Sequence, residues 1–255
     1  MLLAIDIGNT NIVLGGFDGD RLSFVSRIST NAHKTVDEYA TKIKSILLLN
    51  EINPGSIDGV IISSVVPPLN LPIKNAVKKV YGVEPILVGP GIKTGMNMLV
   101  DDPRQVGSDL ICACVAAHNI YGGPALIADM GTATKIMAID ENGAFLGVSI
   151  IPGVEIAVKA LTSGTAQLPQ ISLDAPPSVI GKNTTDCMKS GVIFGNASMI
   201  DGMVERFETE LKTKLKLIAT GGIANDIIPN CRNKFITDDH LVLKGLNLIY
   251  AKNSK

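Results

Sequence analysis

One short pattern occurs twice in this chain, and it restricts the folds open to it. Ala4-Ile5-Asp6-Ile7-Gly8-Asn9-Thr10-Asn11 has a counterpart 123 positions later in Ala128-Asp129-Met130-Gly131-Thr132-Ala133-Thr134, with Ile127 in front. Each copy is an apolar run ending in Asp-x-Gly and followed by small hydroxyl or amide residues. Each continues into a second apolar run, a turn (Phe17-Asp18-Gly19-Asp20; Asp140-Glu141-Asn142-Gly143) and a third run. An offset close to half of 255 residues predicts two similar lobes, each opening with a three-stranded antiparallel unit, rather than one sheet. No low-complexity or Pro/Ser-rich linker marks the division, which we set near residue 117, giving lobes 1–117 and 118–255.

Short Val/Ile/Leu runs at 2–6, 11–17, 22–28, 59–65, 85–88, 125–129, 135–139 and 216–220 read as strands. Between them, residues 35–49 place Val36, Tyr39, Ala40, Ile43, Ile46 and Leu47 on one helical stripe, and 106–121 and 185–215 are further helices. Alternation of the two periods predicts an α/β protein. An apolar fraction of 46% is ample for a buried core.

With 23 basic and 24 acidic residues and no like-charge block, the chain lacks the electrostatic footprint of a nucleic-acid binder. Asp6 interrupts the first apolar run before it reaches signal-peptide length, and no later stretch reaches the roughly 18 apolar residues of a membrane span. Cys112, Cys114, Cys187 and Cys231 have neither zinc-site spacing nor the density of a disulfide scaffold. His33, His118 and His240 are far apart in the chain and read as surface or helix-face residues. A cytoplasmic protein with a neutral or small anionic ligand is the expectation.

The repeated turn suits phosphate. A glycine after a buried strand lets the backbone approach a ligand, and free amides there can point at an anion. Asn9, Thr10 and Asn11 add neutral donors, and Asp6 at the strand end can hold magnesium through water. Thr132 and Thr134 offer hydroxyls beside Asp129, so two such turns would grip one triphosphate from both sides. Thr220-Gly221-Gly222, after another strand, could admit an adenine or ribose to the backbone. Neither GxxxxGK[ST] nor GxGxxG occurs, which argues against P-loop and Rossmann readings.

Asp6-Ile7-Gly8-Asn9-Thr10-Asn11, Gly107-Ser108-Asp109, Asp129-Met130-Gly131-Thr132-Ala133-Thr134, Pro152-Gly153, Thr165-Ala166-x-Leu168-Pro169 and Thr220-Gly221-Gly222 together resemble the ordered motif set of type III pantothenate kinases. The resemblance implies two ribonuclease H-like lobes of the actin-like ATPase superfamily, each a mixed sheet flanked by helices. It implies a homodimer that transfers the γ-phosphoryl group of ATP to pantothenate, with Mg2+ and a monovalent cation, K+ or NH4+. Carried over by position, Asp6, Ile7, Gly8, Asn9, Thr10, Asn11, Ile12 and Val13 form the first phosphate loop and Thr132 contacts ATP. Asp129 matches the monovalent-cation ligand, Asp6 is placed at the metal, and Asp109 matches the catalytic base. Val100, Gly107, Ser108, Asp109, Leu110 and Thr184 match the pantothenate-binding positions, Thr184 from the partner subunit, and the 185–215 helix becomes the dimer face.

Two of these positions depart from the pattern. Relatives commonly carry Arg at Leu110, where it helps bind the pantothenate carboxylate, and Tyr at Val100. Either Arg104 or Lys182 then compensates, or the acceptor is another small hydroxy acid. A non-catalytic ATP-binding regulator on the same fold is the rival from a different class, and retention of Asp6, Asp109 and Asp129 favours catalysis.

Overall fold

Strands β1 (Leu2–Ile7), β2 (Asn11–Asp18) and β3 (Arg21–Ser29) form one antiparallel opening, and β6 (Ala125–Met130), β7 (Ala133–Ile139) and β8 (Phe145–Pro152) form the other, as the repeat requires. The computed structural model describes residues 1–254. Two more strands complete each sheet. Parallel β4 (Gly59–Ser64) and β5 (Ile86–Leu87) give the order β3-β2-β1-β4-β5, and parallel β9 (Lys216–Thr220) and β10 (Ile236–Thr237) give β10-β9-β6-β7-β8.

In the first unit, β1 is apolar throughout up to Asp6 because both its faces are covered. Leu3, Ile5 and Ile7 pack with Tyr39, Ile43 and Leu47 of α1 (Val36–Leu49) and with Leu69, Ile73 and Val77 of α2 (Pro67–Tyr81). Leu2 and Ala4 face the other way, onto Cys112 and Val115 of α3 (Ser108–Tyr121) and Leu243, Leu246 and Ile249 of the final helix, Leu241–Asn253. Helix α1 begins in a reciprocal box in which Thr35 accepts from the Glu38 amide and Glu38 accepts from the Thr35 amide. Helix α2 is not among the sequence expectations, since Pro67, Pro68 and Pro72 obscure its pattern. The first two occupy its opening turn, where a missing N–H leaves no intrahelical bond unmade.

In the second unit, Leu126, Ala128 and Met130 pack with Val154 and Val158 of α4 (Val154–Ser163) and with Ile193, Ala197 and Ile200 of α5 (Thr184–Leu211). A short helix α6 (Ala224–Ile227) precedes β10, and the final helix is α7.

The chain divides between Ala116 and Ala117, but the expected lobes of 1–117 and 118–255 need two corrections. Helix α7 belongs to the first unit, because its leucines complete the core on the second face of β1. Residues 97–100 belong to the second, where Phe145 N–H donates to the Asn97 carbonyl at 2.8 Å and Leu99 N–H to the Phe145 carbonyl at 2.9 Å.

Candidate active site

The first turn is held from below. Gly8 N–H donates to the Asn11 carbonyl at 2.9 Å, closing the hairpin. Thr30, just past β3, donates its hydroxyl to the Gly8 carbonyl at 2.6 Å and its N–H to the Thr10 carbonyl at 2.9 Å. Buried Tyr39 in turn donates to the Asn31 carbonyl at 2.8 Å. With its carbonyls engaged behind, the turn presents Asn9 and Thr10 outward. Ile7 and Ile12 bury their side chains in the core, so only their backbone is available to a ligand.

Asp6 alternates with Leu2 and Ala4 and therefore points to the α3 side of the sheet. Its register partner on β4 is Ser63, and Ser63 and Ser64 capture the start of α3 through Ser108. Ser108 Oγ lies 3.0 Å from Ser63 Oγ, accepts from Ser64 N–H at 2.9 Å and lies 3.1 Å from the Ser64 carbonyl. A hydroxyl has one proton and two lone pairs, so all three contacts are satisfied when Ser63 and Ser64 N–H donate and Ser108 donates to the carbonyl. Next along the helix, Asp109 accepts from Leu110 N–H at 2.9 Å. A Cβ on Gly107 would lie 2.5 Å from Asp109 Oδ1, so the glycine leaves room for the carboxylate to fold back over the helix start. Burial pushes the neighbouring Cys112 thiol well up, and the charges of Asp6 and Asp109 add to that push.

The second turn differs from the first. Gly131 N–H donates to the Ala133 carbonyl at 3.2 Å, and Thr132 is exposed at the tip. Thr134 turns into the core instead of joining it. A Cβ on Gly153, at the start of α4, would collide with the Thr132 and Gly131 carbonyls, so this glycine lets α4 seat against the turn. Gly221, at φ +96°, lies so close to the Met130 backbone that a Cβ there would come within 2.6 Å of it, so the turn requires glycine at this position. Asp129 faces Lys135 across the hairpin, with Nζ 2.7 Å from Oδ2.

Among the predicted residues, the first unit brings together Asp6, Gly8, Asn9, Thr10, Asn11, Gly107, Ser108 and Asp109, while Asp129, Thr132, Val100 and Thr184 lie in the second. Ser108 faces β4 rather than open solvent, and Leu110 is only 6% exposed. Arg104, offered as a replacement for the missing guanidinium, is 82% exposed and paired with Asp102 at 3.0 Å. Sequence reasoning missed Thr30, Ser63, Gly153 as a support, and Lys135. Only Lys135 carried a signal, since a tight turn after Asp129 predicts a partner six residues on.

Magnesium fits this donor set. Among the described residues no cluster of three His, Cys, Asp or Glu could hold a metal, and one carboxylate plus phosphates and water is the usual magnesium arrangement. Asp6 would supply that carboxylate. A monovalent cation on Asp129 does not fit, because the Lys135 ammonium is already in contact with that carboxylate.

Two mixed five-stranded sheets, each opening with a hairpin that turns on Asp-x-Gly, define the actin-like ATPase fold class. An activator of 2-hydroxyisocaproyl-CoA dehydratase from Clostridium difficile, solved with bound ADPNP, shares this fold at a TM-score of 0.58 and 14% identity, over 99% of this chain and 94% of its own. Residues 2–206 match the family model described as type III pantothenate kinase. A type III pantothenate kinase of Exiguobacterium sp. is 45% identical over 100% of both chains, and one of Geobacillus sp. is 43% identical over 99% of this chain and 98% of its own. The chain belongs to the type III pantothenate kinase family.

Proposed function

We propose that this protein transfers the γ-phosphoryl group of ATP to the primary hydroxyl of pantothenate, giving 4'-phosphopantothenate and ADP, the first step of coenzyme A synthesis. The observation that carries this reading is the anchored start of α3, where Ser108 is fixed to the end of β4 and Asp109 follows it. Phosphoryl transfer asks mainly for alignment and charge neutralisation, with one base near the acceptor hydroxyl. Asp109 takes the hydroxyl proton as that oxygen attacks the γ-phosphorus. The Gly8 turn, with Asn9, Thr10 and Asn11, donates to phosphoryl oxygens, and Thr132 adds a hydroxyl. Asp6 holds magnesium, which neutralises phosphate charge when bound.

Family members place an Arg at Leu110 to bind the acceptor carboxylate; here that position is apolar and buried, and Arg104 is held by Asp102. This favours, as a second reading, a small hydroxylated acceptor recognised without that guanidinium. Helices α4 and α5 line an apolar groove with Val158, Leu161, Met188 and Val192, the face we assign to a second copy in a homodimer. No helix among the described residues is long and apolar enough to cross a membrane, and the cytoplasm is the compartment this substrate pair suits.

The test is incubation of the purified protein with ATP, Mg2+ and pantothenate, with 4'-phosphopantothenate detected by mass and ADP counted against it. One ADP per phosphopantothenate is expected. ATP binding without phosphorylation of pantothenate would move the assignment to the second reading.

A further inference from the structure

The two Asp-x-Gly turns differ at the residue opposite the carboxylate. In the first hairpin Asp6 pairs in register with Val13; in the second, Asp129 pairs with Lys135. Directly opposed residues on one face of an antiparallel pair hold their Cβ atoms about 4.5–5.5 Å apart. Strand register alone therefore delivers the ammonium to the carboxylate, 2.7 Å away, and the two side chains are only 18% and 13% exposed. The turn of Gly131 and Thr132 begins two residues after Asp129.

A cation entering at Asp129 would meet a fixed positive charge already in contact with the same carboxylate through Oδ2, in a site with little water to screen the two. The tethered ammonium also has the charge of K+, and its head group is a substituted ammonium ion, close in kind to NH4+. We infer that Lys135 supplies from within the chain the single positive charge that a bound monovalent cation would otherwise supply beside the second phosphate turn, so that ATP use by this protein needs neither K+ nor NH4+. The inference rests on reading the Thr132 turn as an ATP contact and does not depend on which acceptor is phosphorylated.

The experiment measures ATP affinity by calorimetry, turnover with pantothenate, and the thermal midpoint, each in K+, NH4+, Na+ or tetramethylammonium chloride at one ionic strength. The parent protein is compared with Lys135→Thr and Lys135→Met. Parent affinity and turnover are expected to agree within about 2-fold in all four salts. Lys135→Thr is expected to lose about 10-fold or more in ATP affinity in tetramethylammonium and to regain most of it in K+ or NH4+, with a thermal midpoint raised by those two ions in the variant alone. A parent that loses about 10-fold in ATP affinity without K+ overturns the inference, and this comparison stands even where a variant fails to fold. So does a folded variant whose ATP affinity matches the parent in every salt, since the pair would then serve only the hairpin. Salt-independent ATP binding without phosphorylation of pantothenate would sink the acceptor assignment and leave the inference supported. No ATP binding in any salt would sink both.

Discussion

The hydroxyls of Ser108 and Ser63 lie 3.0 Å apart in a buried contact that ties the first turn of α3 to the strand beside Asp6. Ser108→Ala removes this contact and strands the Ser64 amide and carbonyl that the same hydroxyl serves. A loss of about 1–3 kcal/mol in stability is expected from the unmade hydrogen bonds. If the clasp positions Asp109, turnover falls by about 10-fold while the Michaelis constant for ATP holds, because a small misplacement of a reacting group acts on the transition state. Steady-state kinetics with a melting curve decide it; unchanged turnover in a destabilised variant assigns the clasp to folding alone.

Asp109→Asn keeps the size of the side chain and removes its capacity to take a proton. Turnover is expected to fall by about 100-fold or more with ATP affinity nearly intact, the usual scale for losing a general base. Calorimetry with ATP and a coupled ADP assay provide the two readouts. Parental turnover would remove Asp109 from the chemistry.

Gly153→Ala places a methyl group against the carbonyls of Thr132 and Gly131, which are backbone and cannot swing aside. The turn itself must shift, at a cost of about 1–3 kcal/mol typical of overpacking. An increase of about 10-fold in the Michaelis constant for ATP is expected with a lowered melting temperature. A destabilised protein with the parental constant would show that the Thr132 turn does not hold the nucleotide.

Three partly buried groups predict alkaline sensitivity. Burial, followed by the hydrogen bond to Asp238 and its charge, pushes the Tyr121 phenol up to about 12, and burial alone pushes Tyr81 to about 12. Burial and then Asp201 push the Cys231 thiol up to about 12. A group whose folded pKa is raised contributes stability that is complete below its unfolded value, here 9.0 for the thiol and 10.0 for the phenols, and that is lost as pH climbs to the folded value. The urea midpoint is therefore expected to fall between about pH 9 and pH 12, less steeply in Tyr121→Phe. A midpoint constant over that range contradicts the assignment.

Much of the fold was legible because its signals are local. Buried strands read as apolar runs, and each Asp-x-Gly turn sits where such a run ends. Asp109 was legible through its motif, yet the serine contact that fixes it joins residues 45 apart and left no periodic trace. Lys135 read as one polar residue opening a strand; its role depends on hairpin register, which the length of the turn sets. Arg104, offered with Lys182 for the acceptor carboxylate, is paired locally with Asp102, two residues earlier, a contact that no spacing signalled. Helix α7 has ordinary helical spacing, but nothing in that spacing says which sheet it will cover.

At Gly245, α7 crosses α3 so closely that any side chain there would strike the Cys112 carbonyl. Synthesis runs from the N-terminus, so β1 to β5 and α3 leave the ribosome long before the helix that covers Leu2, Ala4 and Ile61. The nascent chain must carry that face unsealed while the whole of 117–240, which needs nothing from α7 to fill its own core, is made and can fold ahead of it. The half of the protein translated first is thus the half finished last, and a truncated product of stalled translation would hold Asp6 and Asp109 in a unit lacking its outer wall.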